Sequence, residues 1–123
     1  MTEQQLTLAA YYAAVDRSAF DEALTHVSPA IRFAIAVPTG TIRGAGHDGI
    51  RDYFSGRGTV DRRHVPLRSS SAGDMEFIYG AVVEDGTSTT GHFVAAAHLD
   101  ASGLIDAYQV SFDPELTLLE AGR

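Results

Sequence analysis

His64 stands in the segment RRHVPLRSSS, residues 62 to 71, between two arginines and a proline. An ordinary imidazole titrates close to neutrality, which suits it to general acid–base work. Period-two alternation groups His64 with Arg62, Pro66 and Arg68 and sets Val65 with Leu67 on the other face, so the pattern alone turns the ring to solvent. Asp16 closes the first helical stretch, where a carboxylate meets the negative end of the helix dipole. It either bonds the amides of the turn that follows or stands at the edge of a pocket. Tyr11 belongs to an apolar helical stripe, and its phenol either fills the core or offers an O–H donor where negative charge develops.

Further along, TGHFVAAAHLD puts His92, Val94, Ala96, His98 and Asp100 on one strand face and Phe93, Ala95, Ala97 and Leu99 on the other. Small alanines at mid-strand leave room for a ligand or for closely packed helices. His92 is the pocket candidate there, and His98, near the turn, is expected in solvent. Tyr108 alternates in phase with Asp106, Val110 and Phe112 and is expected to line the same cavity, together with Phe33 and Tyr53. His26 and His47 flank core positions on helices and are expected in solvent. The five histidines lack the i, i+4 pairing of a helical metal site, and no phosphate-binding glycine loop or GxSxG elbow is present. No metal and no cofactor is expected.

A chain of 123 residues is about one domain long and can bury a core without staples, so residues 1–123 are read as one domain. No apolar run is long enough to span a membrane, and MTEQQLTLAAYY lacks the basic region and apolar run of a signal peptide, which points to the cytoplasm. The absence of cysteine excludes disulfides and thiolate nucleophiles. A net charge of −7 opposes attraction to phosphate backbones. Neither nucleic acid nor membrane is expected as a partner.

The elements that must position these residues follow from periodicity. Leu8, Tyr11, Tyr12 and Val15 recur at helical spacing, giving a first helix. Ser18 is read as the N-cap of a second helix carrying Phe20, Ala23, Leu24 and Val27, which stops at Ser28–Pro29. IRFAIAV follows as a strand, and Ile50, Tyr53 and Phe54 mark a third helix that SGRG closes. Turn signals at AGD, EDG and DASG cut the remainder into strands near 61–71, 75–84, 88–100 and 104–112. Helices preceding a meander of strands indicate an α+β domain, with helices covering one face of an antiparallel sheet.

YYAAVDRSAFDEAL, GTIRGAGHDGIRDYF and ASGLIDAYQVSFDP, in that order, resemble the first helix pair, the strand exit with third helix, and the last hairpin of the SnoaL-like group of the NTF2-like superfamily. That resemblance implies three N-terminal helices on a strongly curved antiparallel sheet enclosing a cone-shaped pocket. Against SnoaL-like dehydratases of the bile-acid and scytalone types, Tyr11, Asp16 and His64 match catalytic positions. The resemblance thus turns His64 inward, with Asp16 orienting it and Tyr11 holding oxyanion character. Departures limit the match. The base carboxylate of ketosteroid-isomerase-like members falls at Ile35 or Ala36, a scytalone-type strand tyrosine is Phe33, and the last acid of the limonene-epoxide-hydrolase pattern is Val110. The expected function is a cofactor-independent lyase or isomerase for a small hydrophobic molecule, polycyclic or polyketide-like. The alternative is a noncatalytic ligand-binding or dimerisation domain. A homodimer is expected, with Phe93, Leu99 and Ile105 on the sheet face it covers.

Overall fold

The computed structural model describes residues 6–56 and 61–119. The turn expected at SGRG runs into residues 57–60, which lie outside them, as do residues 1–5. In chain order the elements are α1 (Thr7–Asp16), α2 (Phe20–Leu24), β1 (Val27–Val37), β2 (Gly40–Ala45), α3 (Gly46–Gly56), β3 (Arg62–Ala72), β4 (Met75–Glu84), β5 (Ser88–Leu99) and β6 (Ile105–Asp113). The architecture is α+β, a six-stranded sheet in the order β2-β1-β6-β5-β4-β3 with the helices on one face. Among the described residues no helix is long and apolar enough to cross a membrane.

Three features differ from the sequence-based expectation. The helices are not all N-terminal, since α3 follows two strands. The sheet is mixed, because β1 runs parallel to β6 while every other pair is antiparallel. Finally, α2 ends at Leu24, and Ser28–Pro29 lies inside β1. Proline is tolerated there because this end of β1 is irregularly paired, with a register shift between Val27 and Arg32.

Ser18 is not an N-cap. Its backbone is left-handed, with φ of 59°. The amide of Ser18 donates to the Val15 carbonyl and that of Ala19 to the Ala14 carbonyl, both at 2.9 Å. These are the paired bonds of a Schellman motif, so the serine serves the end of α1 rather than the start of α2. The start of α1 has no side-chain cap of its own. Glu76, on β4 and buried, accepts from the amides of Thr7 at 3.1 Å and Leu8 at 2.8 Å, placing a carboxylate where the helix dipole is positive.

The core lies between α1, α3 and the concave sheet face. Leu8, Ile31, Ile50, Ile78, Phe93 and Ile105 are essentially fully buried in it. Phe93 and Ile105 therefore do not belong to an uncovered outer face, and Leu99 packs against the same core. The outer face instead carries Phe77 and Val94, which are exposed, among the alanines 34, 36, 96 and 107. Register shifts interrupt β3 between Pro66 and Arg68 and β4 between Val82 and Val83. Such bulges bend and twist a sheet, and here they curl β3 toward the last turn of α1.

Candidate functional site

Helix α1 and strand β3 meet at Asp16 and His64. The Asp16 carboxylate grips the histidine twice: Oδ2 accepts the His64 backbone N–H at 2.7 Å, and Oδ1 lies 2.7 Å from Nδ1. Both side chains are largely buried, at 13% and 16% exposure. With Nδ1–H donating to Asp16, the neutral ring carries its lone pair on Nε2, the nitrogen that can take a proton. Asp16 was expected to face the unfavourable end of the α1 dipole. It does end that helix, and the two bonds from His64 hold its charge there.

Aromatic rings fix the imidazole. Tyr12 stacks on it with centroids 4.3 Å apart and planes 16° from parallel, and Phe93 meets its edge at 5.3 Å. Each such contact is worth about 0.5–1.5 kcal/mol beyond burial. Together with the carboxylate clamp they leave the ring little rotational freedom.

His64 lines a partly open cavity of about 230 Å³. Its wall is mainly apolar, from Val15 on α1, Ile35 on β1, Phe54 on α3, Val82 on β4, Phe93 on β5 and Val110 on β6. Four phenols share that wall: Tyr11, Tyr12, Tyr53 and Tyr108. The hydroxyls of Tyr12 and Tyr108 are hydrogen-bonded to each other, and the ring of Tyr11 lies edge-on to that of Tyr108 at 5.9 Å. Burial pushes the Tyr108 phenol well above its ordinary range, and the neighbouring tyrosines add to the shift. Burial also raises Tyr12, with its bond to Tyr108 opposing. Both are therefore protonated hydroxyls at physiological pH. At another part of the wall, Arg62 pairs with Glu84 at 3.3 Å, its cross-strand partner. Thr90 donates to the same Glu84 oxygen at 3.3 Å.

Of the expected lining residues, Tyr11, Tyr53, His64 and Tyr108 lie on the cavity wall. Phe33 does not. It faces the core at the β2 and α3 end, where its ring fills a slot left by Gly44 and Gly49; a Cβ on Gly44 would stand 2.5 Å from it. His92 is turned to the outer face, where it stacks on Tyr79 at 5.7 Å. His47 is not simply in solvent, because its Nε2 is 2.8 Å from the Val27 carbonyl. His98, half-exposed, bridges Asp106 at 2.5 Å and Asp74 at 2.7 Å. Among the described residues no group of three or more histidines and carboxylates could hold a metal ion.

No family model matches this sequence, and no curated protein does. Solved structures match it over most of its length. An NTF2-like protein from Burkholderia pseudomallei superposes with a TM-score of 0.71 at 19% identity, covering 88% of either chain. The chain has the NTF2-like fold. A protein of the SnoaL-like family from Agrobacterium tumefaciens, provisionally assigned as an isomerase, matches with a TM-score of 0.69 at 15% identity over 87% of this chain and 94% of its own. TerC, crystallised with polyporic acid, matches with a TM-score of 0.73 at 22% identity over 87% of this chain and 88% of its own.

Within this NTF2-like cone, sequence reasoning missed Arg62, Glu84 and the pairing of Tyr12 with Tyr108. Arg62 and Glu84 carried a usable signal, since they stand at the far ends of the two strands that the AGD turn joins and carry opposite charge. The tyrosine pair carried none, because its members are 96 positions apart and sit on α1 and β6.

Proposed function

We propose that this chain is a cofactor-independent acid–base enzyme of the lyase or isomerase type, acting on a small hydrophobic molecule in the NTF2-like cavity. The observation that carries the reading is His64, doubly bonded by Asp16 behind it, on the wall of a mainly apolar chamber. His64 Nε2 takes and returns a proton, while Asp16 holds the tautomer and stabilises the imidazolium that forms. Tyr11, on the same wall, adds to the hydroxyl-bearing surface that faces developing negative charge. The isomerase assignment of the structural neighbour from A. tumefaciens is consistent with chemistry in this chamber. A generic proton-transfer assay tests the reading without the natural substrate: deuterium uptake at C1 of 2-tetralone in D₂O, followed by NMR. Uptake accelerated by the protein and lost in His64→Gln is expected. Equal rates in both proteins would remove the base from the mechanism and favour a binding domain.

The chain is further proposed to pair with a second copy through the outer sheet face. Phe77 and Val94 are exposed on that face, with Ala96 between them on the sheet, and sheet faces of this kind pack face to face. Sedimentation velocity of the protein beside Val94→Glu is the check, with a dimer in the first and a monomer in the second expected.

A further inference from the structure

The chain carries 16 acidic residues against nine basic ones, and every basic residue is an arginine. Most of the described arginines are engaged. Arg17, Arg51, Arg62 and Arg63 each face a carboxylate, and Arg68 donates to the Leu67 carbonyl. Arg32 and Arg43 are exposed and have no hydrogen-bond, ion-pair or ring partner among the described residues. They are also neighbours. In the β1–β2 ladder Arg32 stands opposite Ala45 and Arg43 opposite Ala34, so the two side chains leave the same outer face at diagonal positions, a separation that long side chains span. Like charges placed so close repel each other unless an anion joins them.

Beside them lies a trough of about 550 Å³ on the outer sheet face, with the sheet between it and the His64 chamber. Its floor is Ala34 and Ala36 of β1, Ala107 of β6 and Ala96 of β5. Arg32, Arg43 and Thr41 stand along one side, Met75 and His98 along the other, and Gln109 lies between. Among the described residues no carboxylate lines it, and Asp74 and Asp106 at its far side are both bonded to His98. A concavity lined by one sign of charge focuses its field on a counter-ion. Guanidinium forks match the planar oxygens of a carboxylate with two parallel bonds, and Thr41 and Gln109 add neutral donors on the same face. The volume falls within the roughly 300–1,000 Å³ of small-molecule sites.

We propose that this trough binds an organic carboxylate with an apolar body, its oxygens held by Arg32 and Arg43 and its body laid on the alanine floor toward Met75. The proposal does not depend on the acid–base reading of His64, which concerns the other side of the sheet. Arg43 on β2 and Phe77 on β4 are four strand spacings apart, about 19 Å, so the arginine margin and the Phe77–Val94 patch can be tested separately.

The probes are octanoate, 1-octanol, acetate and a hexaglutamate peptide, titrated into the full chain by NMR. Octanoate should shift the methyl signals of Ala34, Ala36, Ala96 and Ala107. At that site it should bind about tenfold tighter than 1-octanol, which lacks the charge, and than acetate, which lacks the body. Arg32→Gln and Arg43→Gln should each weaken octanoate about fivefold to tenfold, with an unchanged melting temperature because both positions are exposed. Octanoate shifts confined to Val15 and Val82 of the inner chamber, equal binding of octanoate and 1-octanol at the alanines, or undiminished binding in the double variant would each overturn the proposal. Tighter binding of hexaglutamate would instead make the trough a surface for an acidic protein segment. A double variant that changes sedimentation, in a protein that never binds octanoate, would assign the arginines to a contact between two copies. Either result would overturn the small-molecule site.

Discussion

Replacing Asp16 by asparagine tests the site at its narrowest point, because the change keeps shape and inverts one hydrogen-bonding atom. The carboxylate accepts two bonds of 2.7 Å, from the backbone N–H and from Nδ1 of His64. A backbone amide can only donate, so the single oxygen of the asparagine must face it. The new NH₂ then faces Nδ1, which must present a lone pair, and the ring proton moves to Nε2. The base becomes a donor. Loss of a positioned general base costs about 10²–10⁴-fold in rate, so deuterium uptake by 2-tetralone should fall by that amount. One charge-assisted bond, worth about 1.5–3 kcal/mol, is exchanged for a neutral one of about 1 kcal/mol. The variant should therefore lose on the order of 1–2 kcal/mol, or roughly 3–8 °C of melting temperature for a domain of this size. The direct assay is the ring ¹⁵N spectrum of the neutral histidine, which distinguishes the Nδ1–H from the Nε2–H tautomer. A switch of tautomer at His64 alone is expected. An Nδ1–H ring in Asp16→Asn, or undiminished deuterium uptake, would refute the reasoning.

Other consequences follow from elements around the site. Ser18→Gly relieves a left-handed serine with φ of 59°, and should stabilise the protein by about 0.5–1 kcal/mol in chemical denaturation; a serine N-cap would predict no gain. Glu76→Gln weakens the two bonds to the first amides of α1 and should cost about 1–2 kcal/mol, with faster hydrogen exchange at Thr7 and Leu8. His98 is held by Asp106 and Asp74, which raise its proton affinity above the ordinary histidine value. Its stabilising contribution is therefore complete below the unfolded value near 6.5 and is lost as pH rises through the higher folded value. Denaturant unfolding of the protein and His98→Gln should converge across that window, and a pH-independent gap between them would contradict it.

The element types were legible in the sequence because each is written in local periodicity. The stripe Leu8, Tyr11, Tyr12 and Val15 is buried in α1, and the strands expected near 75–84 and 104–112 are β4 and β6 to within a residue. What was not legible depended on pairing across the sheet. Alternation counted through Val65 and Leu67 puts His64 in solvent, because it assumes an unbroken strand. The register shift between Pro66 and Arg68 changes the phase: Val65 is 38% exposed, while His64 and Arg62 face the cavity. On β5 the unbroken pattern does hold, yet the buried row is the one with Phe93, Ala95 and Ala97, and His92 lies on the other. A histidine beside small residues looks the same on either face until the helices that cover one of them are placed.

The same limit explains the two tyrosines of α1. Tyr11 and Tyr12 are adjacent, equally buried and part of one apolar stripe, so periodicity has no means of ranking them. Rank comes from what stands opposite. Tyr12 meets the face of His64 and the hydroxyl of Tyr108, both brought to it by strands that are distant in sequence. Tyr11 is set edge-on to Tyr108. A phenol buried in an apolar wall needs a partner for its hydroxyl, since burying it unpaired carries a cost of a few kcal/mol. For Tyr12 and Tyr108 each hydroxyl is the other's partner, which lets two phenols from distant elements be buried side by side on one wall.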